Sequence, residues 1–163
     1  TDVSALVLVF PADDVYDVLP LFWVPQEGAR RREMRDRVPY GQWIREGFMD
    51  ACPGEVIDYD RIRARINELH EQFEIKQIAI DRWNATQLAT QLDSDGFEII
   101  SFGQGYASMS APTKKLEELV LSECIRHAGN PVLRWMAGNV SIEQDAADNW
   151  KPSKGARNGK HTR

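Results

Sequence analysis

The sequence predicts an α/β fold in which helices cover both faces of a mixed sheet. Two observations lead to this prediction. The chain opens with two apolar runs separated by a short turn, and residues 60–127 then alternate between helical and strand-like patterns. Alternation of this kind implies parallel strands joined by right-handed crossovers, whereas the opening pair implies an antiparallel hairpin. The length of 163 residues fits a single domain.

The hairpin is predicted from residues 5–10 (ALVLVF) and residues 18–24 (VLPLFWV). The first run is continuously apolar and rich in β-branched residues, which is typical of a strand buried on both faces. Pro20 lies inside the second run and favours an edge position or a bulge. A polar and strongly basic segment follows over residues 26–40, and residues 42–50 predict a short helix.

The middle of the chain predicts two helices and two strands. Asp60 can cap a helix whose apolar side chains recur at helical spacing; these are Ile62, Ile66, Leu69 and Phe73. Residues 75–80 (IKQIAI) predict a short strand that ends at Asp81. The next helix is predicted to begin at a cap, Asn84, and to end at Gly96, and residues 97–102 (FEIISF) predict the next strand.

The last predicted helix is long. Ser110 and Pro112 are typical of a helix start, and the pattern runs on to His127, with the apolar residues expected to be buried. Those residues are Leu116, Leu119, Val120 and Ile125.

The charge distribution divides the chain into an acidic body and a basic end. Residues 151–163 carry five Lys or Arg and no acid, whereas residues 1–150 hold 15 basic and 25 acidic side chains, a net charge of −10. We therefore expect a domain over residues 1–150 and a flexible basic tail over residues 151–163. Such a body is not typical of a general nucleic-acid coat, although net charge does not exclude an acidic metal site.

Several classes of protein are excluded or disfavoured. Cys52 and Cys124 stand apart, without a Cys-x-x-Cys pair, so neither a zinc framework nor a disulfide scaffold is predicted. No apolar stretch approaches the roughly 18–20 residues of a membrane helix. The nucleophile elbow of serine hydrolases and a phosphate-binding loop of the Walker type are both missing from the sequence.

Asp81 is the most informative candidate for chemistry. It stands where an apolar strand ends, and ligands of α/β sheets gather at the carboxyl ends of strands, where a carboxylate can reach a metal ion. Capping of the turn that follows is an equally good interpretation of its position alone. Two-metal chemistry requires several converging acids, which one carboxylate cannot supply.

Two further groups are candidates for contacts with phosphate. Gln104 and Gly105 follow the next strand and should lie beside Asp81, where backbone amides can approach a phosphate, although most Gly-rich loops only turn the chain. The second group is an arginine cluster that can track a nucleic-acid backbone, with a solvated surface as the competing interpretation. Its members are Arg30, Arg31, Arg32, Arg35 and Arg37.

Three segments together resemble the nuclease domain of tailed-phage terminase large subunits. They are DRWN at residues 81–84, FGQG at residues 102–105, and HAGNPVLRWM at residues 127–136 followed by Asn139. The likeness covers essentially the whole chain in the same order, and the combination is far more specific than any one segment.

The resemblance implies a ribonuclease H-like fold and a metal-dependent endonuclease that cuts concatemeric phage DNA. Hydrolysis would use two ions of Mg²⁺ or Mn²⁺, and Asp81 matches the family's middle metal-binding acid, which makes it the expected catalytic residue. Lys151 and Lys154 resemble an active-site loop and are expected DNA contacts, together with Gln104, Gly105, Arg31 and Arg35. The implied partners are double-stranded phage DNA, the portal protein, the small terminase subunit and the ATPase domain of the large subunit, acting in the host cytoplasm at the procapsid, without a membrane.

The chain departs from the family pattern at two catalytic acids. The first metal-binding acid of the family lies in a strand just before the position of residue 1. The third lies at the start of a helix, and the sequence after Lys154 does not match that helix. We therefore expect the fold to lack its first strand and last helix, and the isolated chain to cleave DNA poorly. The alternative is a non-catalytic module that binds DNA through the arginine cluster or docks on the portal or motor. A ribonuclease H-like recombination nuclease is disfavoured by the 127–136 segment.

Overall fold

The computed structural model describes residues 3–81 and 86–154. Its elements, in chain order, are β1 (Ser4–Ala12), β2 (Val15–Pro25), α1 (Ala29–Asp36), α2 (Tyr40–Arg45), β3 (Asp50–Cys52), α3 (Tyr59–Gln72), β4 (Ile78–Asp81), α4 (Thr86–Ser94), β5 (Ile99–Phe102), α5 (Tyr106–Leu121), β6 (Ile125–Arg126), α6 (Pro131–Gly138), β7 (Val140–Gln144) and β8 (Trp150–Lys154). Among the described residues, no helix has the length and apolar character needed to cross a membrane.

The predicted hairpin is confirmed. β1 and β2 pair antiparallel along their full length, from Ser4 opposite Trp23 to Ala12 opposite Val15. The other edge of β2 pairs in parallel with β3 at one end and with β6 at the other. Pro20 lies between these two pairings, where its missing N–H removes no ladder hydrogen bond, so it occupies a local edge rather than a bulge.

Helices pack on both faces of this sheet, as predicted. On one face, Phe22 and Val24 of β2 form a core with Trp43 of α2 and Val132 of α6. On the opposite face, Trp23 packs with the buried residues of α3 and α4. Adjacent β2 residues alternate between the two cores because successive strand side chains point to opposite faces.

The prediction that β1 is buried on both faces is wrong. Val7 is 44% exposed and Val9 is 54% exposed. β1 pairs with β2 on one edge, and the helices α2 and α6 cover Phe22 and Val24 of β2 without enclosing these two valines. An apolar run alone therefore does not establish that both faces are covered.

The predicted stripe on α3 is confirmed, because Ile62, Ile66 and Leu69 are all buried. The cap differs from the prediction. The Asp58 carboxylate, rather than that of Asp60, occupies the capping position and accepts a hydrogen bond of 3.0 Å from the Asp60 N–H. The other predicted cap, Asn84, lies outside the described residues.

β4 and β5 form a separate two-stranded parallel sheet, with Ile78 opposite Ile99 and Asp81 opposite Phe102. α4 connects them, and Gly96 ends the connection with φ of +98°, a conformation that favours glycine. Both strands begin later than predicted, but both end as predicted, at Asp81 and Phe102. The predicted ends of the two strands are therefore confirmed, and it is these ends that position the candidate site.

The prediction for α5 is wrong in its bounds and in its buried side. α5 begins at Tyr106 and includes Pro112 within the helix, and His127 lies beyond β6. Leu116 is 55% exposed and Val120 is 57% exposed. α5 instead packs against β8, and apolar periodicity does not reveal such a polar packing face.

Five regions of the described chain contain elements that the sequence did not predict: α1, β3, β6, α6 and the antiparallel pair β7 and β8. The β7–β8 hairpin includes the first four residues of the predicted basic tail, because residues 151–154 belong to β8 and pair with β7. The remainder of the predicted tail, residues 155–163, lies outside the described part of the chain.

Candidate functional site

The candidate site begins at one edge of the small parallel sheet. Asp81 is the last residue of β4, is half-buried and pairs with Phe102, the last residue of β5. The chain then passes through Gln104 and Gly105 directly into α5. The register therefore brings Asp81 and the Gly-Gln-Gly loop to the same edge, as the sequence predicts.

The two glycines of this loop have different structural requirements. A Cβ at Gly103 would stand 2.6 Å from the Ser108 Oγ, so the loop turns back closely on the first turn of α5. A Cβ at Gly105 would meet no atom within 4 Å, and the residue has an extended backbone, φ −82° and ψ 166°. A side chain at position 103 would therefore displace Ser108, whereas position 105 has room for one, which leaves Gly105 as an open approach to the start of α5.

β8 lies alongside α5 and places Lys151 at the first residue of that helix. The Lys151 Nζ stands 4.9 Å from the centroid of the Tyr106 ring, and Tyr106 is the first residue of α5. About one turn further along the helix, the Ser110 Oγ accepts a hydrogen bond of 3.1 Å from the Trp150 N–H, which fixes the strand against the helix. The structure thus brings Lys151 to the first residue of α5, directly after Gln104 and Gly105.

Glu143 holds Lys151 from the other side. Its Oε2 lies 3.3 Å from the Lys151 Nζ, and its Oε1 accepts a hydrogen bond of 2.5 Å from the Ser153 hydroxyl. These contacts lower the pKa of Glu143 below its ordinary value. The Ser153 hydrogen bond has the larger effect, and the Lys151 ammonium has the next largest. Glu143 is therefore held in the anionic form beside the lysine.

Lys154 ends the same strand, where its backbone pairs with Val140. It lies three residues beyond Lys151, about 10 Å along an extended strand.

The arginine cluster belongs to a different part of the fold, α1, which packs against α2. Arg31 is exposed. Arg32, by contrast, donates hydrogen bonds to the backbone carbonyls of Pro25 and Glu27 and ties α1 to the end of β2. The cluster is thus partly structural, and Arg31 and Arg35 lie on an element separate from the loop and from β8.

The described residues do not by themselves form a metal centre. Over residues 3–81 and 86–154, no group of three or more His, Cys, Asp or Glu side chains is arranged to hold a metal ion. Asp81 contributes one carboxylate at the edge of the sheet, whereas oxygen-ligated Mg²⁺ or Mn²⁺ pairs need several.

Comparison with known proteins assigns the chain to a family. The family model described as "Terminase large subunit, endonuclease domain" matches residues 1–161. The chain belongs to this terminase nuclease family.

Two relatives illustrate the match. The large terminase subunit of Enterobacteria phage HK97 is 38% identical over 98% of the chain and 32% of the relative, and protein YmfN of Escherichia coli K12 is 29% identical over 77% of the chain and 28% of the relative. The crystal structure of the HK97 large terminase superposes with a TM-score of 0.86 over 97% of the chain and 34% of that structure. The chain spans about a third of the length of these relatives.

Within this terminase nuclease domain, sequence reasoning missed Tyr106 and Glu143. Tyr106 follows the Gly-Gln-Gly loop, but its role depends on a strand 45 residues later in the chain. Glu143 lies directly opposite Lys151 in the β7–β8 register. Recognition of that hairpin would have revealed the pair, because opposite charges facing one another across a ladder stabilise it.

Proposed function

We propose that this chain is the DNA-cutting domain of a phage packaging terminase and acts as a metal-dependent endonuclease on double-stranded DNA. The observation that carries this proposal is the position of Asp81 in a member of the terminase nuclease family. A carboxylate at the end of a parallel strand, beside a Gly-rich loop, lies where a sheet of this class binds ligands. The ribonuclease H-like assignment of the fold remains part of this proposal.

The proposed cofactor is Mg²⁺ or Mn²⁺, with Asp81 as one ligand and as the catalytic acid expected from the family. Carboxylate oxygens are the ligands these ions prefer. Since no group of three or more possible ligands occurs among the described residues, we place the other acids outside them. The chain on its own is therefore expected to cleave DNA weakly or not at all.

The proposed DNA contacts surround the start of α5. Gln104 and Gly105 offer a loop that a phosphate can approach closely, and Lys151 presents an ammonium beside them. Lys154 would extend this contact along β8, and Arg31 and Arg35 would meet the backbone from α1. Contacts of this kind make binding sensitive to salt and insensitive to sequence.

The remaining partners belong to the whole terminase. We propose that the complete protein acts with an ATPase domain, a small terminase subunit and the portal at the procapsid, in the host cytoplasm. These assignments rest on the family and on relatives three times the length of the chain.

The decisive experiment restores the chain to a full-length context. The chain replaces its matched segment in the HK97 large terminase, to which it is 38% identical, and plasmid cleavage is measured with Mg²⁺, with Mn²⁺ and with a chelator. We expect metal-dependent cleavage that Asp81→Asn abolishes. Asp93→Asn, which alters an exposed carboxylate on α4, is the matched control and should cut normally.

A chimera that folds but does not cut would contradict the nuclease proposal. Equal cutting by the Asp81→Asn and Asp93→Asn variants would exclude Asp81 as the catalytic acid. The isolated chain gives an independent check. Robust cleavage by the isolated chain that is lost in Asp81→Asn would show that this chain alone supplies all of the metal ligands that cleavage needs.

The alternative is a DNA-binding or docking module without nuclease activity, and the exposed Arg31 on α1 favours it. It predicts salt-sensitive DNA binding that charge reversal at Arg31 and Arg35 removes, with no cleavage by the chimera. Binding unchanged by both reversals would count against this module.

A further inference from the structure

We propose that Tyr106 and Glu143 are positioning residues that hold the Lys151 ammonium at the start of α5 to meet a phosphate of bound DNA. This inference rests on the proposed function and adds two residues to it. Neither side chain needs to touch the DNA for this role.

The first argument is that Lys151 is held from two elements at once. Its Nζ stands 4.9 Å from the Tyr106 ring centroid on α5 and 3.3 Å from the Glu143 Oε2 on β7. A free lysine side chain loses rotamer entropy when a ligand fixes it. These two contacts restrict the side chain before DNA arrives, which reduces that cost at binding.

The second argument is that Glu143 is itself fixed. One carboxylate oxygen accepts the hydrogen bond of the Ser153 hydroxyl, 2.5 Å, and the other faces Lys151. Glu143 and Lys151 are directly opposite in the hairpin, so the ladder sets their spacing. An ammonium carries three donors, and the one directed at Glu143 leaves others for a phosphate.

The third argument comes from a second lysine at the same interface. Lys114 Nζ stands 5.1 Å from the Trp150 ring centroid and donates a 2.9 Å hydrogen bond to the Asp148 carbonyl. It lies eight residues further along α5, about 12 Å from the start of the helix. Lys114 therefore has a similar aromatic neighbour but a different position, and it provides a matched control.

The test measures binding of the full 163-residue chain to a double-stranded DNA oligonucleotide by fluorescence anisotropy over a range of salt concentrations. Lys151→Met should weaken binding several-fold and reduce the salt slope by about one, as for the loss of one phosphate contact. Tyr106→Leu should reproduce most of this loss, whereas Tyr106→Phe, which keeps the ring, should bind normally.

Three comparisons separate positioning from other effects. In the Lys151→Met background, Tyr106→Leu should not weaken DNA binding further, because Tyr106 acts through Lys151. Glu143→Gln removes a negative charge, which by itself strengthens DNA binding, so a weaker complex would support positioning. Lys114→Met should change binding much less than Lys151→Met. Circular dichroism establishes that each variant is folded.

The inference is overturned if Tyr106→Leu weakens binding equally with and without Lys151, if Glu143→Gln tightens binding, or if the two lysine variants are equivalent. These outcomes are independent of the chimera experiment. A chimera that cuts DNA while Lys151→Met binds normally would reject the inference and leave the proposed function standing. A chimera that fails to cut would reject the nuclease, whatever the lysine variants do.

Discussion

Single residues link the helices of this domain, and Asp95 is the plainest case. It follows α4 and receives a 2.6 Å hydrogen bond from the Arg63 Nε and a 3.1 Å hydrogen bond from the Asn67 amide, both on α3. The Arg63 hydrogen bond is the main cause that lowers the pKa of Asp95 from 3.8 to about 2, and the Asn67 hydrogen bond is the next. The carboxylate is thus a pH-dependent contact between α3 and the end of α4.

The pH dependence follows from the direction of this shift. Because the pKa of Asp95 is lower in the folded chain than in the unfolded one, the ionised form stabilises the fold above about pH 4, and this contribution is lost as the pH falls toward 2. We expect Asp95→Asn to melt at a lower temperature than the wild type at pH 7, with the difference shrinking below pH 4. Thermal melts from pH 2 to 7 measure it.

Asp93→Asn is the control for this prediction, since Asp93 is an exposed acid on α4, two residues before Asp95. Its melting curve should follow that of the wild type across the range. A difference between wild type and Asp95→Asn that stays constant from pH 7 to pH 2 would contradict the linkage.

Among whole elements, α3 and α5 show what sequence patterns reveal. The stripe of α3 is apolar and matches its buried side, so it could be predicted from spacing alone. α5 packs on β8 through Tyr106, Ser110 and Lys114, which recur every four residues, and this face is polar. Three of its apolar residues, Leu116, Val120 and Leu121, are exposed instead, and no local sequence pattern distinguishes α5 from α3 in this respect.

The same reasoning explains how much of the site was predictable. Asp81, Gln104 and Gly105 follow directly from the ends of two short parallel strands, and these local features were predicted. Tyr106 and Glu143 depend on the pairing of β8 with a strand ten residues earlier and on its packing against α5. Such long-range partners are set by tertiary structure rather than by the propensity of any one segment.

The exposure of α5 gives a prediction at the scale of the element. Leu116→Ser and Val120→Thr should change the free energy of unfolding by no more than about 0.5 kcal/mol, because both side chains are more than half exposed. Leu92→Ala, at a position with 0% exposure on α4, should cost about 2–5 kcal/mol. Urea titration of the three variants compares them.

A large loss of stability in either α5 variant would contradict this account. It would mean that the apolar side of α5 is covered in the isolated chain in solution. Retained stability in Leu92→Ala would contradict the assignment of the second core, to which Leu92 belongs.

For the whole molecule, the outer edge of β1 decides how copies of the chain behave toward one another. β1 is the terminal strand of its sheet among the described residues, and its nine residues carry no charge. Val7 and Val9 are exposed on one face. Long, uncharged, apolar edges pair readily with other strands, and natural proteins usually interrupt them with lysine or cover them.

We therefore expect the isolated chain to self-associate as its concentration rises, and Val9→Lys to suppress this association by placing a charge on the exposed face of β1. Val56→Lys is the control, because Val56 is 68% exposed but lies outside every strand. Size-exclusion chromatography with light scattering across a concentration series measures both. If the two lysine variants reduce association equally, the change in net charge explains the effect and the edge does not. If the wild type stays monomeric throughout, the edge of β1 is protected in solution.

The same measurement can be repeated in the full-length chimera. If the proposed ribonuclease H-like fold supplies a strand that pairs with β1 there, the edge is already covered and Val9→Lys should have no effect on association.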